Sequence, residues 1–294
     1  MSIAWQIVLH GGAGVTRGRD YSAVEAHLGA LVRAAAARLA EGMAAIDLVE
    51  WAVADMEASG LYVAGRGSAP NSAGVVEMDA SIMDGARHRA GAICAASGIA
   101  SPVGAARQVL EQTPHILLAG EGATIFSRTH GDPGIADPAT HYVVPIGVEA
   151  AEMTQSEWSL THGTVGAVAL DSTGRLAAAT STGGLFGKLA GRVGDTGVPG
   201  IGTWADDEVA ISCTGIGEAF MLAGGAGDVA ARMRYGGVPL SVAAQRMIDR
   251  VKVLGGDGGL IAVDRSGAIA TPFNSGGMKR AIAGADRPVV VAIE

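Results

Sequence analysis

The chain has 294 residues, 49% of them hydrophobic and 17% charged, enough apolar material for the packed core of one large domain or two small ones and too much for a disordered chain. Its net charge of -8 argues against a nucleic-acid binder, which would carry a basic patch or stripe. The 45 glycines fall in short clusters between apolar runs, without a Gly-X-Y repeat, and no run approaches the roughly 18 uninterrupted apolar residues of a membrane span.

The amino terminus, Met1 to Gln6, has no charged region followed by a hydrophobic run, so the expectation is a cytoplasmic protein. Ala4 to Leu9 is a short apolar strand feeding a glycine turn, His10-Gly11-Gly12-Ala13-Gly14. An esterase-type oxyanion hole would need a companion G-x-S-x-G elbow, which is absent, so His10 reads as a structural hydrogen-bonder. Ser22 and Glu25 form a capping box opening a helix with Val24, Leu28, Leu31, Ala35 and Leu39 at helical spacing, and Gly42 stops it. A second helix runs from about Ala45 to Ser59 with Val49, Val53 and Met56 on its buried face.

Residues 61 to 77 read as a loop, and Met78, Ala80 and Ile82 then alternate with Asp79, Ser81 and Met83 as a strand that turns at Asp84-Gly85 into His88 to Ser97. Asp79 and Asp84 are open to two readings, an acid or metal pair and a structural one, since aspartate is favoured in turns. Ser101-Pro102 opens a helix through about Glu111, His115 to Ala119 reads as a strand, and Glu121 to Arg128 as a helix. A polar connection follows from Thr129 to Gly163, and it includes His162. The seven histidines lack metal-ligand spacing. Cys94 and Cys213 lie in apolar runs and read as buried free thiols.

Gly163-Thr164 then begins a hairpin, Thr164 to Asp171 and Leu176 to Thr180 joined by Ser172-Thr173-Gly174-Arg175. A threonine hydroxyl needs a base, and its own α-amine serves if the preceding peptide bond is broken. Such an amine titrates at about 7.7 to 8.0. Glycine at 163 lets the hydroxyl approach the preceding carbonyl, although a Gly-Thr pair opening a strand is equally an ordinary hairpin feature. Further on come the hydroxyl cluster Thr180-Ser181-Thr182, the guanidinium and carboxylate of Arg192 and Asp195, and a strand from Val209 to Cys213. Helices at about 217 to 234 and 240 to 253 follow, then paired runs Leu260 to Val263 and Ala268 to Thr271, and a last strand from Val289 to Ile293. This order favours helices outside two stacked, largely antiparallel sheets over a doubly wound parallel sheet.

His162 to Asp171, Ala178 to Gly184, Gly191-Arg192-Val193-Gly194-Asp195 and Ser212 to Glu218 resemble the isoaspartyl peptidase/L-asparaginase family, the plant-type asparaginases among the N-terminal-nucleophile hydrolases. His10 to Gly14, Met78 to Gly85, Pro272-Phe273-Asn274 and Gly277-Met278 extend the likeness nearly end to end. The resemblance implies an α+β fold, the four-layer αββα sandwich, as one domain over 1–294 that cleaves itself between Gly163 and Thr164 into an α subunit, 1–163, and a β subunit, 164–294.

It further implies that Thr164 is the nucleophile and Thr182 orients it, that Arg192 holds the substrate's α-carboxylate and Asp195 its α-amino group with Gly217 nearby, and that Thr214 with the Gly215 N–H stabilises the oxyanion. The expected activity is hydrolysis of β-aspartyl dipeptides and L-asparagine to aspartate, by a homodimer of cleaved αβ heterodimers with no required cofactor, no nucleic-acid or membrane partner, and a structural sodium ion near the 61–77 loop. A glycosylasparaginase-like amidase and an uncleaved, non-catalytic binding protein of the same fold are the alternatives. One departure stands out: Tyr62-Val63-Ala64-Gly65 replaces the family's Phe-Asn-Ala-Gly, and valine has no side-chain hydrogen bond to offer.

Overall fold

The computed structural model describes residues 3–154 and 163–294, so His162 lies outside the described residues. The chain begins with β1 (Gln6–Ala13), α1 (Ser22–Ala40), α2 (Ala45–Ser59), β2 (Glu77–Asp84), β3 (Arg89–Ser97), α3 (Pro102–Gln112), β4 (Leu117–Ala119), α4 (Gly120–Thr129) and the short α5 (Pro138–His141). After the connection come β5 (Thr164–Leu170), β6 (Leu176–Thr182), β7 (Thr203–Ala205), β8 (Val209–Gly215), α6 (Gly217–Ala223), α7 (Gly225–Gly236), α8 (Leu240–Val253), β9 (Gly258–Asp264), β10 (Ile269–Ala270), β11 (Met278–Gly284) and β12 (Arg287–Ala292).

Among the described residues the strands form two sheets. One has eight strands in the order β12-β11-β1-β5-β6-β2-β3-β4, antiparallel except for β3 with β4, and the other has four antiparallel strands, β10-β9-β8-β7. Side-chain parity then assigns each residue a layer. On β5, Val165, Ala167 and Ala169 pack with α1, α2 and α3, whereas Val168 and Leu170 meet Ala210, Ile261 and Val263 of the smaller sheet. On β8, Val209, Ile211 and Cys213 pack with α6, α7 and α8. The central strands β1, β5, β6 and β8 are therefore buried on both faces, which is why they read as unbroken runs of small and apolar residues.

The sequence expectations hold for most elements and fail where tertiary pairing decides. His10 to Ala13 is not a turn but the end of β1, with a register shift against β11 at Gly11-Gly12. No capping box forms on α1, because Ser22 is its first residue and Tyr21, in the cap position, makes no side-chain bond to the helix. The expected helix from 217 to 234 breaks at Gly224, whose φ of 90° is left-handed. The strand expected from His115 is three residues, Leu117–Ala119. β7 and β11 have no strand signal of their own; β11 is recognisable only through its pairing with β1 and β12. No helix among the described residues is long and apolar enough to cross a membrane.

Gly91 on β3 faces the backbone of α3, where a Cβ would overlap Ala106 O and lie 2.5 Å from Leu110 N. Gly91→Ala should therefore cost about 1–3 kcal/mol of stability through overpacking, read as a lower urea midpoint with an unchanged slope.

Candidate active site

Thr164 opens β5 with the parity of Val168 and Leu170, so its side chain points into the space between the sheets at one end of the strand, 4% exposed. Thr182 on β6 is its partner in register, and the Thr164 hydroxyl donates to Thr182 Oγ1 at 3.3 Å. Thr182 Oγ1 also accepts the Gly184 N–H at 3.0 Å, which fixes its rotamer. Behind the nucleophile candidate, the Thr164 carbonyl lies 3.1 Å from His10 Nδ1. Gly163 is packed under Val63: a Cβ at 163 would be 2.6 Å from Val63 Cγ2. Val63 belongs to a small apolar cluster with Ala69, Met153 and Phe186, and its carbonyl accepts the Gly183 N–H at 2.8 Å. The side chain at 63 thus supports this region by shape, and only its main chain bonds.

The smaller sheet supplies the facing groups. Thr214 shares the inward parity of Ala210 and Ser212, and its oxygen accepts the Ala13 N–H at 3.1 Å, which leaves its own proton to donate elsewhere. Gly215 ends β8 opposite Gly258, and Asn274 holds Gly258 from both sides, accepting its N–H at 2.8 Å and donating its own backbone N–H to the Gly258 carbonyl at 2.9 Å. The Pro272-Phe273-Asn274 motif is thus a brace for the end of β8.

Gly217 begins α6 with no side chain because Asp195 lies against it: a Cβ there would be 2.9 Å from Asp195 Oδ1. Asp195 is 4% exposed, and among the described residues its Oδ2 has no hydrogen-bond partner. Burial pushes its carboxyl up to about 6, with Arg192 opposing the shift. A buried carboxylate oxygen facing no donor is costly unless a ligand completes it.

Arg192 and Asp195 do not pair with each other. Glu218 takes the Arg192 fork instead, through Nε at 2.8 Å and Nη2 at 2.7 Å. That uses two of the five guanidinium N–H donors, and the others make no side-chain hydrogen bond among the described residues. Glu218 carries this role without having been singled out in the sequence, although it closes the Ser212 to Glu218 motif. The loop bearing Arg192 and Asp195 is pinned to β2: Lys188 Nζ donates to Glu77 O at 2.7 Å, Gly191 N to Glu77 Oε2 at 2.9 Å, and Gly194 N reaches Asp79 Oδ2 at 3.5 Å. A cleft of about 170 Å³ opens here, lined by Leu185, Phe186, Lys188, Leu189, Arg192 and Glu218.

The acid or metal pair falls away. Asp79 and Asp84 are five residues apart on β2 and so lie on opposite faces; Asp79 accepts the Ala95 N–H at 2.7 Å, and Asp84 closes a turn with Arg87 at 2.6 Å. No group of three or more His, Cys, Asp or Glu among the described residues could hold a metal ion, and Cys94 and Cys213 are free and buried.

A family model described as Asparaginase matches residues 3–293. The isoaspartyl peptidase of Salmonella typhimurium is 42% identical, over 94% of this chain and 94% of its own. A plant-type L-asparaginase of Pyrobaculum calidifontis is 41% identical over 93% and 95%, and the human isoaspartyl peptidase/L-asparaginase 38% over 94% and 92%.

The orphaned carboxylate makes a stability prediction. Asp195 holds its proton more tightly folded than unfolded, so its stability contribution is intact below about pH 4 and is lost as pH rises through 6. Asp195→Asn should be more stable than the parent by about 2–3 kcal/mol at pH 8, with the difference vanishing near pH 4, measured by urea unfolding at both pH values.

Proposed function

The chain belongs to the asparaginase family, and on that premise we propose that it is a threonine-type amidohydrolase, activated by its own cleavage, that releases L-aspartate from β-aspartyl dipeptides and L-asparagine. The observation that carries this reading is the position of Thr164: it follows Gly163 directly, is turned between the sheets, and is hydrogen-bonded in register to Thr182. The order helices, large sheet, small sheet, helices that the three buried clusters trace is the αββα sandwich in this reading.

In the first step Thr164 Oγ attacks the Gly163 carbonyl carbon, the acyl group passes from nitrogen to oxygen, and water hydrolyses the resulting ester. The chain is then two subunits, 1–163 and 164–294. The freed α-amine of Thr164 becomes the base for its own hydroxyl, a role suited to an amine that titrates near neutral pH. Thr182, with its oxygen already held by Gly184 N–H, fixes the direction of that hydroxyl.

The substrate enters with its α-carboxylate on the free face of Arg192 and its α-ammonium on Asp195 Oδ2, beside Gly217. Both ends of the amino acid are then occupied, so the group presented to Thr164 is the side-chain amide. Attack places negative charge on the amide oxygen, where the Thr214 hydroxyl and the Gly215 N–H donate to it. Collapse expels ammonia or the amino acid and leaves a β-aspartyl ester on Thr164, which water hydrolyses.

No cofactor is needed for these steps. Side chains at Gly65 and Gly67 would overlap Glu57 O and Tyr62 O, so the main chain packs closely here, and a structural sodium ion near this loop would be held by main-chain oxygens. Such an ion would stiffen the loop that packs Val63 on Gly163. A homodimer of cleaved heterodimers completes the proposal.

Thr164→Ala should remain one polypeptide on denaturing electrophoresis and be inactive, whereas the parent gives two fragments with threonine at a new amino terminus. Cleavage of the variant at the same bond would overturn the assignment. The Asp195 carboxylate must be ionised to take an ammonium, so kcat/KM for β-Asp-Leu should fall below about pH 6 with a unit slope. A profile flat to pH 5 would remove Asp195 from that role.

A further inference from the structure

His10, Ser81, Thr180, Thr203 and Ser212 are each 0% exposed, out of contact with bulk solvent. Their placement follows from register. Across the large sheet, His10 pairs with Gly166, Gly166 with Thr180 and Thr180 with Ser81, so one row crosses four strands with a glycine in it. Across the small sheet Thr203 pairs with Ser212, forming a second row that faces the first. Gly166 is the gap through which they meet, since a Cβ there would overlap both Ser212 Oγ and His10 Nε2.

The two rows join into a single chain of hydrogen bonds. His10 Nε2 lies 2.8 Å from Ser212 Oγ, Ser212 Oγ 2.7 Å from Thr180 Oγ1, and Thr180 Oγ1 2.5 Å from Thr203 Oγ1. Ser81 Oγ is 2.6 Å from both Thr203 Oγ1 and the Thr196 carbonyl. The chain begins at the Thr164 carbonyl and ends at the carbonyl of Thr196, next to Asp195.

Its direction is determined. A carbonyl only accepts, so the imidazole proton is on Nδ1, facing Thr164. Burial pushes the His10 pKa down to about 3, so the ring is neutral and Nε2 is bare. Nε2 accepts from Ser212, whose single proton is then spent; Ser212 accepts from Thr180, and Thr180 from Thr203. Ser81 shares its proton between Thr203 and Thr196.

We propose that this row of hydroxyls and one imidazole is a positioning relay, which holds the carbonyl of Thr164 and the Asp195 loop in fixed relation so that nucleophile and ammonium site act on one substrate. The paired register of β1 with β5 stops at His10–Gly166, two residues short of Thr164, and the imidazole N–H takes over there. These five are positioning residues, since the nucleophile's hydroxyl itself is held by Thr182. The relay rests on Thr164 being the nucleophile.

Thr180→Ser keeps the donor and the acceptor; Thr180→Val keeps the shape and loses both. The serine variant should match the parent, while the valine variant should lose about 10- to 100-fold in kcat for β-Asp-Leu with KM within about twofold, because the misplacement is at the nucleophile. Ser212→Ala, which removes the hydroxyl that links His10 to Thr180 and adds no atoms, should show the same split and serves if Thr180→Val does not fold. Nitrogen-15 NMR of the imidazole should give His10 as the neutral Nδ1–H tautomer in the parent, with Nε2 accepting a hydrogen bond; in Ser212→Ala the tautomer should stay and the Nε2 resonance should move to that of a nitrogen with no hydrogen bond.

An inactive Thr164→Ala together with parental kcat in Ser212→Ala, or an Nε2–H tautomer in the parent, would overturn the relay. An active Thr164→Ala would instead overturn the assignment of the nucleophile, so the two failures are told apart.

Discussion

Two sheets packed face to face leave no bulk water between them, and any polar group placed there must be satisfied by the protein or by a ligand. The rest of the site depends on this constraint. Between β1, β5 and β6 on one side and β8 and β9 on the other, the filling is Val8, Val168, Leu170, Ala178, Ala210, Ile261 and Val263 along most of the strands. Toward the end where Thr164 begins, it changes to His10, Thr180, Thr182, Ser212 and Thr214. The apolar part makes the sheets adhere, and the polar part is held in single rotamers by hydrogen bonds among these side chains and to neighbouring main-chain groups.

The two polar ends of the site are built differently. The hydroxyls around Thr164 are paired, and pairing makes them rigid. Asp195 is buried with one oxygen unpaired, and the cost of that arrangement is carried by the surrounding packing, by Gly217 against its other oxygen and by the pinning of its loop to Glu77 and Asp79. A fully paired carboxylate there would stabilise the fold and leave no open oxygen for the ammonium that the proposed reaction places on it. Arg192 lies between these cases: Glu218 orients its fork and leaves the other donors open. Position 63 shows the same economy of means, since Val63 packs on Gly163 by shape while its carbonyl makes the bond to Gly183.

Much of the fold was legible along the chain. The helical spacing of Val24, Leu28, Leu31, Ala35 and Leu39 is borne out by α1, and the Ser172 to Arg175 turn joins β5 to β6 as expected. What was illegible shares a physical reason. β11 begins Met278-Lys279-Arg280 and β7 is three residues long, so neither has a period of its own, and each is a strand only because another strand presents an edge to it. The glycines after His10 look like a turn locally, yet β11 and β5 on either side keep β1 extended through Leu9 and His10, and β11 pairs again at Ala13.

The sequence by itself determined which residue types were available and on which face of each strand they fall, because alternation along a strand is a covalent property of the chain. It placed Thr164 after Gly163, and Arg192 three positions before Asp195. Only the tertiary structure decided which faces meet: that Thr164 opposes Thr182, that Glu218 and not Asp195 takes the Arg192 fork, and that His10 and Ser212, 202 positions apart, touch over Gly166. Partners so distant in sequence are selected by register and sheet packing, which depend on the whole chain and leave no local mark in it.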